Sequence, residues 1–471
     1  VILDAIRAAG TISRVEIVGA TGLTGATVST VVRRLIDEGL VLEAGRGEST
    51  GGKPRMLLQL DPTARFAFGV HLDHGGITYV LADLGGAVVA RWRTSGAGSQ
   101  DPDQVVARVA REIGAMLAQV GTDPGRVLGL GVVSPGPFTA ARGMLLAPPV
   151  MQRWADYPLA DALEDAVGLP VLLDNDATAA AIGEYWGGGI EPTSAFAALY
   201  MGTGIGSGIL VDGVAYRGSS SNAGEVGHLC VALDGPQCWC GSQGCIEALA
   251  GPATLVAQAR ADGVLRPGRE RGIAEDFGAL TRAALRGEPR AEALIRQSAR
   301  YLGLAAQALA NLMDLDLVVL TGPAFALAGS LYLPTVQQQL DRSFFARGSH
   351  PARATISTTA SDAAAVGGMS GARCVGSQAP AAGAGPVLAR SSQREGGAQR
   401  STGGLPSSTS STASATVMPY WCTSRASTVS GGVARRQRVE SSQATTLSRP
   451  GTSTPSSSAT RRPPIAMRSL S

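Results

Sequence analysis

Lysine is almost missing from this chain of 471 residues: Lys53 stands alone among 40 basic Lys and Arg side chains. That bias, with abundant alanine and glycine, is expected of a GC-rich genome and carries no functional information. Long apolar runs are lacking as well. No stretch approaches the roughly 20 residues a membrane-spanning helix needs, and no secretory signal is visible, so a cytoplasmic protein with no membrane partner is expected. A uniformly basic surface is excluded too. From Gly376 onward eleven Arg face two Glu, which places +9 there and leaves −6 on residues 1 to 375. Any nucleic-acid contact must therefore be local. Methionine does not open the chain, which is expected where the start lies upstream of Val1.

Cysteine is scarce, six in all, yet three fall within eight residues in Cys238-x-Cys240-Gly-x-x-Gly-Cys245. Glycines at 241 and 244 let the backbone fold tightly around one point. With His228 a little upstream, the thiols make a Cys₃His set, a soft ligand field that favours tetrahedral zinc. A closed set of four ligands holds a structural metal, not a catalytic one. The clustering is too tight for a loop-spanning disulfide framework. Cys230 lies outside the spacing and is expected to be a small buried hydrophobe; Cys374 and Cys422 are assigned no role.

Residues 1–60 read as a winged helix-turn-helix. VILDAIRAAG is an amphipathic helix, Ser13 with Glu16 forms a capping box for a second, and Thr24 caps a third. Val28, Val31, Val32 and Leu35 recur at helical spacing on the third helix. Its outward side chains are Thr27, Ser29, Thr30, Arg33 and Arg34, placed to enter a major groove. Two strands of a wing follow, with Lys53 and Arg55 near its tip for a phosphate or minor groove. The other reading of this segment, whose net charge is only about +1, is an interaction module that never meets DNA.

From Arg65 the pattern changes to strands joined by glycine turns. A helix over 104–120, a buried strand into Ser134-Pro135-Gly136-Pro137, and a strand over 170–173 ending at Asp174-Asn175-Asp176 follow. Acidic residues at a strand end that opens into a helix fit an α/β sheet with its ligand cleft there. A second half begins with two apolar strands around Gly202, Thr203, Gly204 and Gly206, whose free N–H groups can cradle a phosphate. Helices are predicted over 252–262, 274–286, 290–312 and 361–372, with a strand over 315–320. Beyond Cys374 periodicity is lost, and 375–471 is expected to be a disordered low-complexity tail; an Arg-rich nucleic-acid arm is the alternative.

Asp176 is the candidate general base for a reacting hydroxyl, or simply a helix cap. With Asn175, Glu225, His228 and Glu247 it offers donors and acceptors suited to a polyhydroxylated ligand.

Glu225-x-Gly227-His228, followed by the cysteine run and Glu247, resembles the signature of the ROK family (repressors, open reading frames, kinases), over roughly residues 10 to 372. The resemblance implies an actin-like, ribonuclease-H-type two-lobed sugar-kinase fold behind the winged helix-turn-helix. Its first lobe spans 65–185 with the closing helix 361–372, and its second spans 186–350 with the zinc loop. It further implies that Asn175, Asp176, Glu225, His228 and Glu247 contact a sugar, with His228 serving metal and sugar together. Gly202, Thr203, Gly204 and Gly206 become a nucleotide phosphate loop. The family's kinases carry an early Asp-x-Gly-Gly-Thr loop for Mg²⁺ and ATP. Here His71 stands in place of that aspartate, and an imidazole is no oxygen ligand for Mg²⁺. Asp73-x-Gly75-Gly76-Ile77 imitates the loop two residues late. Thr321-Gly322-Pro323 replaces a Gly-Gly pair that would admit adenosine. The expectation is a repressor that binds operator DNA as a homodimer or homotetramer and responds to a sugar or sugar phosphate. An ATP-dependent, glucokinase-like hexokinase is the alternative.

Overall fold

Helix signals at the start of the chain are local and strong. The computed structural model describes residues 1–47, 54–98, 100–137, 149–187, 190, 195–265 and 272–376. It opens with α1 (Ile2–Ala9), β1 (Thr11–Ser13), α2 (Arg14–Thr21) and α3 (Gly25–Asp37). Ser13 Oγ accepts from the Glu16 N–H at 3.4 Å, and the Glu16 carboxyl accepts from the Ser13 N–H at 2.7 Å, completing the capping box. Thr24 Oγ1 accepts from the Thr27 N–H at 3.2 Å and starts α3. The axes of α2 and α3 meet at 118°, a helix-turn-helix angle. The wing strands β2 (Val41–Arg46) and β3 (Met56–Leu60) are antiparallel, and β1 extends them in the order β1-β3-β2. β1 is not predicted from the sequence: three residues show no alternation, and their strand state comes from pairing Ile12 with Leu58. Ile6, Ile17, Val28, Val32 and Leu58 are wholly enclosed between helices and sheet. Residues 48–53, and with them Lys53, lie outside the described residues.

The next elements build one pattern twice. β4 (Phe66–Leu72), β5 (Ile77–Asp83) and β6 (Val88–Thr94) form an antiparallel meander. Then α4 (Pro102–Val120), β7 (Val127–Ser134), α5 (Leu159–Val167), β8 (Val171–Asn175) and α6 (Asp176–Trp186) add two parallel strands, giving the order β6-β5-β4-β7-β8. The second copy begins with β9 (Ala195–Met201), β10 (Ile205–Val211) and β11 (Val214–Ala215), again antiparallel. The helices α7 (Ile246–Ala250), α8 (Pro252–Ala261), α9 (Ile273–Leu285) and α10 (Pro289–Met313) follow. β12 (Leu317–Thr321), α11 (Pro323–Ser343) and β13 (Arg353–Ile356) complete the order β11-β10-β9-β12-β13. Three antiparallel strands and then two parallel ones, in both sheets, are the actin-like, ribonuclease-H-type arrangement. Each sheet has its own apolar core, around Phe68, Tyr79 and Trp154 in the first and Phe277, Phe325 and Tyr332 in the second.

α11 runs 21 residues through a stretch where the sequence reading assigns no element. Pro334 sits inside it and signals a break, but the apolar face of Phe325, Ala328, Tyr332, Val336 and Leu340 is buried, and tertiary packing overrides the signal.

The last described element, α12 (Ala363–Gly376), returns to the first sheet. Its approach is backbone to backbone. A Cβ on Gly69 would stand 1.8 Å from the Ala365 carbonyl oxygen, and one on Gly367 would stand 1.7 Å from that of Ala179 on α6. Only glycine permits such contacts, so α6 is clamped along its length by α12. β10 grips its other side, where a Cβ on Gly208 would meet the Ala177 carbonyl oxygen at 2.4 Å.

Candidate functional site

Gly224–Glu247 leaves β10 and β11 and leads into α7. Its entry point is fixed by Gly224, with φ +94°, where a side chain would collide with the Ser207 carbonyl oxygen at 2.0 Å. The loop that follows has almost no apolar interior: Leu229, Val231 and Leu233 are exposed. Cys230, expected to be buried, is exposed as well, because this segment offers no apolar layer for it to enter. The interior instead consists of donors. One ligand atom from each of His228, Cys238, Cys240 and Cys245 lies within 4.8 Å of every other. Cys240 Sγ stands 3.8 Å from Cys245 Sγ, and Cys238 Sγ stands 3.6 Å from His228 Nδ1. These are the edges of a tetrahedron with metal–sulfur bonds of about 2.3 Å, and far from the roughly 2.05 Å of a disulfide. The donor set therefore fits a zinc-sized cation, which would fix the loop and leave His228 Nε2 free.

Trp239, between the two cysteines of the Cys-x-Cys pair, was not singled out by sequence. Its ring meets the His228 ring edge to face at 5.1 Å, and its Nε1 donates to Glu247 Oε1 at 2.6 Å. The other Glu247 oxygen accepts from the Ile205 N–H at 2.7 Å. A tryptophan inside a metal-ligand pair was the available signal.

Asn175 and Asp176 arrive from the end of β8. The cap of α6 is Asn175, whose side chain accepts from the Thr178 N–H at 3.0 Å, and not Asp176, which is the first helical residue. Asp176 therefore does not cap α6, contrary to the helix-cap reading of its sequence position. A methyl on Gly136 would stand 3.1 Å from Asn175 Nδ2 and 3.6 Å from Glu225 Oε1, so these two side chains converge on the loop after β7. Burial pushes the Glu225 carboxyl up to about 7, with Asp176 and then Glu247 adding repulsion. The described side chains bring acids, an amide and an imidazole to one cleft, an arrangement able to hydrogen-bond a polyhydroxylated ligand.

Glu225 makes a pH dependence testable. Its folded-state pKa of about 7 lies above the ordinary 4.5, so the folded protein favours the neutral acid. Its contribution to stability is fully present below 4.5 and is lost as pH rises through about 7. Glu225→Gln is expected to remove this slope, worth about 2–3 kcal/mol between roughly pH 5 and 8. Chemical denaturation of both proteins across that range checks it; parallel curves would refute the assignment.

At the cleft's other side, His71 on β4 is buried, with Nε2 3.6 Å from Asp176 Oδ2 and 3.4 Å from the Tyr200 hydroxyl. Asp73, just past the strand, accepts from the Thr203 hydroxyl in the turn between β9 and β10. The glycine turn at 202–206 thus touches the first lobe through an acidic side chain. His71, Asp73 and Tyr200 are partners that spacing alone did not connect.

On α3 the side chains of Thr27, Ser29, Thr30, Arg33 and Arg34 are all exposed, opposite buried Val28 and Val32. Arg34 Nε donates to Glu38 at 2.7 Å, while no ion pair is formed by Arg33 among the described residues. Arg55 is exposed beside β3.

Two lobes of one repeated pattern around a polar cleft, joined to a winged helix pair, define a sugar-kinase-like fold fused to a DNA-binding module. Residues 69–373 match the ROK family, and residues 1–41 match the winged helix-turn-helix DNA-binding family. The chain belongs to the ROK family. It is 28% identical over 348 residues to the xylose repressor of Caldicellulosiruptor bescii, covering 71% of this chain and 85% of that protein. A solved ROK family transcriptional regulator, a homologue of the E. coli MLC protein, is similar at TM-score 0.64 and 25% identity, covering 79% of this chain and 95% of that one. A ROK family glucokinase from Streptomyces griseus in complex with glucose and AMPPNP is similar at TM-score 0.55 and 28% identity, covering 65% and 99% respectively.

Proposed function

We propose that this chain is a sugar-responsive transcriptional repressor. Residues 1–60 bind operator DNA, and a sugar binds between a first lobe at 65–185, closed by α12, and a second at 186–350. The observation that carries this reading is α3: a helix crossing its partner at 118° whose outward face is polar, basic and unobstructed. The likeness to a xylose repressor supports it. Asn175, Asp176, Glu225, His228 and Glu247 hold the sugar, and zinc on His228, Cys238, Cys240 and Cys245 fixes the loop that carries two of them. The protein works in the cytoplasm as a homodimer or homotetramer, so that lobe movement changes the spacing of two DNA-binding domains.

The second reading is an ATP-dependent sugar kinase with Asp176 as base, favoured by the likeness to a glucokinase. His71 weighs against it. A buried imidazole occupies the strand end where an acid would hold Mg²⁺, and it stands against the base itself.

Fluorescence anisotropy of the zinc-loaded protein on a labelled fragment from upstream of its own gene, titrated with neutral sugars, tests the proposal. Tight, salt-dependent binding released by one sugar is expected. Failure to bind DNA, with ADP release in the presence of ATP and a sugar, would establish the kinase instead. In the same assay Arg33→Ala is expected to weaken binding to all sequences about equally, and to reduce the salt slope by about one. Arg34→Ala is expected to do less, because Glu38 already engages that guanidinium.

A further inference from the structure

The turn between β9 and β10 is where an anion would be held if the cleft took one, yet two of its donors are engaged by acids and a third by a backbone carbonyl. The Thr203 hydroxyl donates to Asp73, the Ile205 N–H donates to Glu247 Oε2 at 2.7 Å, and the Gly202 N–H donates to the Gly204 carbonyl at 3.0 Å. Asp73 is itself buried, 9% exposed, and the same carboxyl oxygen accepts from the His74 N–H at 2.7 Å. It is therefore held in place from both lobes. We propose that the cleft selects an uncharged sugar over its phosphate ester, and that Asp73 is the residue that makes this selection.

The charge around the turn supports this. Asp73 and Asp176 both act on the buried Tyr200 hydroxyl, whose pKa burial, first, and then these two acids raise well above its ordinary value. His71 stands between Tyr200 and Asp176. Among the described residues, the cation that acts on Tyr200 is Arg93 on β6, whose guanidinium lies 2.7 Å from where a Cβ on Gly76 would stand. One guanidinium does not offset Asp73, Asp176 and Glu247. A phosphate monoester entering the turn would have to displace Asp73 from Thr203 or lie beside it, and like charges in a partly buried site repel strongly. A neutral hydroxyl meets no such cost and can donate to these same acids. Selection of this kind works by placing a repulsive group against the wrong ligand.

The inference rests on the sugar-effector reading, and one experiment separates the two. Isothermal titration of the zinc-loaded full chain would compare D-xylose with xylose 5-phosphate, D-glucose with glucose 6-phosphate, and N-acetylglucosamine with its 6-phosphate. For the sugar that binds, the phosphate ester is expected to be weaker by about 100-fold or more. In Asp73→Asn, which keeps the side chain's shape and one acceptor, the gap is expected to close to about 10-fold. A wild-type phosphate ester that binds as tightly as its sugar would overturn the inference while leaving the effector reading intact, and this arm needs no variant. An unchanged ratio in a folded Asp73→Asn protein would overturn the role of Asp73. Binding of no sugar of either kind would overturn the effector reading and the inference with it.

Discussion

Replacing Cys238 and Cys240 together by serine is expected to abolish the sugar response while leaving operator binding in the absence of sugar within about two-fold of the parent. The reason lies in what holds residues 229–245 together. Leu229, Val231 and Leu233 face solvent, so hydrophobic burial contributes little, and the short hydrogen bonds from Val231 to Gly244 and from Cys238 to Ser242 cannot by themselves fix a loop of this length. A metal bound by four ligands from one loop supplies folding free energy that this segment otherwise lacks. His228 and, through Trp239, Glu247 are positioned by the same cluster. Losing the partners that orient a metal's ligands typically costs about 10- to 100-fold in metal affinity or activity, and a loss at the upper end is expected here, where two binding residues lose their support together. Zinc content by elemental analysis should fall from one ion per chain to none, sugar affinity by about 100-fold, and chelation of the parent protein should reproduce both. The winged helix-turn-helix has its own core, around Ile6, Ile17 and Leu58, and does not draw on the loop. A double variant that still releases DNA on addition of sugar would remove the zinc cluster from the mechanism.

How much of this was legible beforehand depends on the range over which each feature is determined. The Ser13–Glu16 box, the Thr24 cap and the cysteine spacing are encoded within a few residues, and they are found where the sequence places them. Features set by distant partners were not legible. β1 exists because Thr11–Ser13 lies beside β3, and α11 survives Pro334 because its apolar face is covered. The exposure of Cys230 contradicts a residue preference that holds for cysteines near a core. His71 reads as the wrong residue in a motif, but its contact with Asp176 and Tyr200 joins positions more than a hundred residues apart. Asp73 reads as part of an imitated motif, whereas the fold gives it a partner in the opposite lobe.

The second large effect is expected at Trp186, where α6, which starts at the proposed sugar site, meets Arg7 of α1. α6 begins with Asn175 and Asp176 in the cleft and ends at Trp186, about 16 Å away at 1.5 Å per residue. Over that ring lies the guanidinium of Arg7, 4.3 Å from its centroid, and Arg7 belongs to the last turn of α1. Between its ends α6 has little freedom to bend, because α12 and β10 touch its backbone through Gly367 and Gly208. A movement of the lobes is therefore expected to carry α6 as a rigid rod, and with it the Trp186 ring under Arg7. Trp186→Ala removes the ring without touching α3 or the cleft. Operator affinity without sugar and sugar affinity without DNA should both stay close to those of the parent. The change in operator affinity caused by saturating sugar should fall toward none, from a coupling that is typically about 5- to 150-fold. Trp186→Phe, which keeps an aromatic face for the guanidinium, should recover part of it, and Arg7→Ala should match the alanine variant. Because coupling is reciprocal, the DNA-induced change in sugar affinity must fall by the same factor. Anisotropy with and without sugar measures the first quantity and calorimetry with and without operator the second. Full coupling in Trp186→Ala would mean that the signal leaves the cleft by a route other than α6.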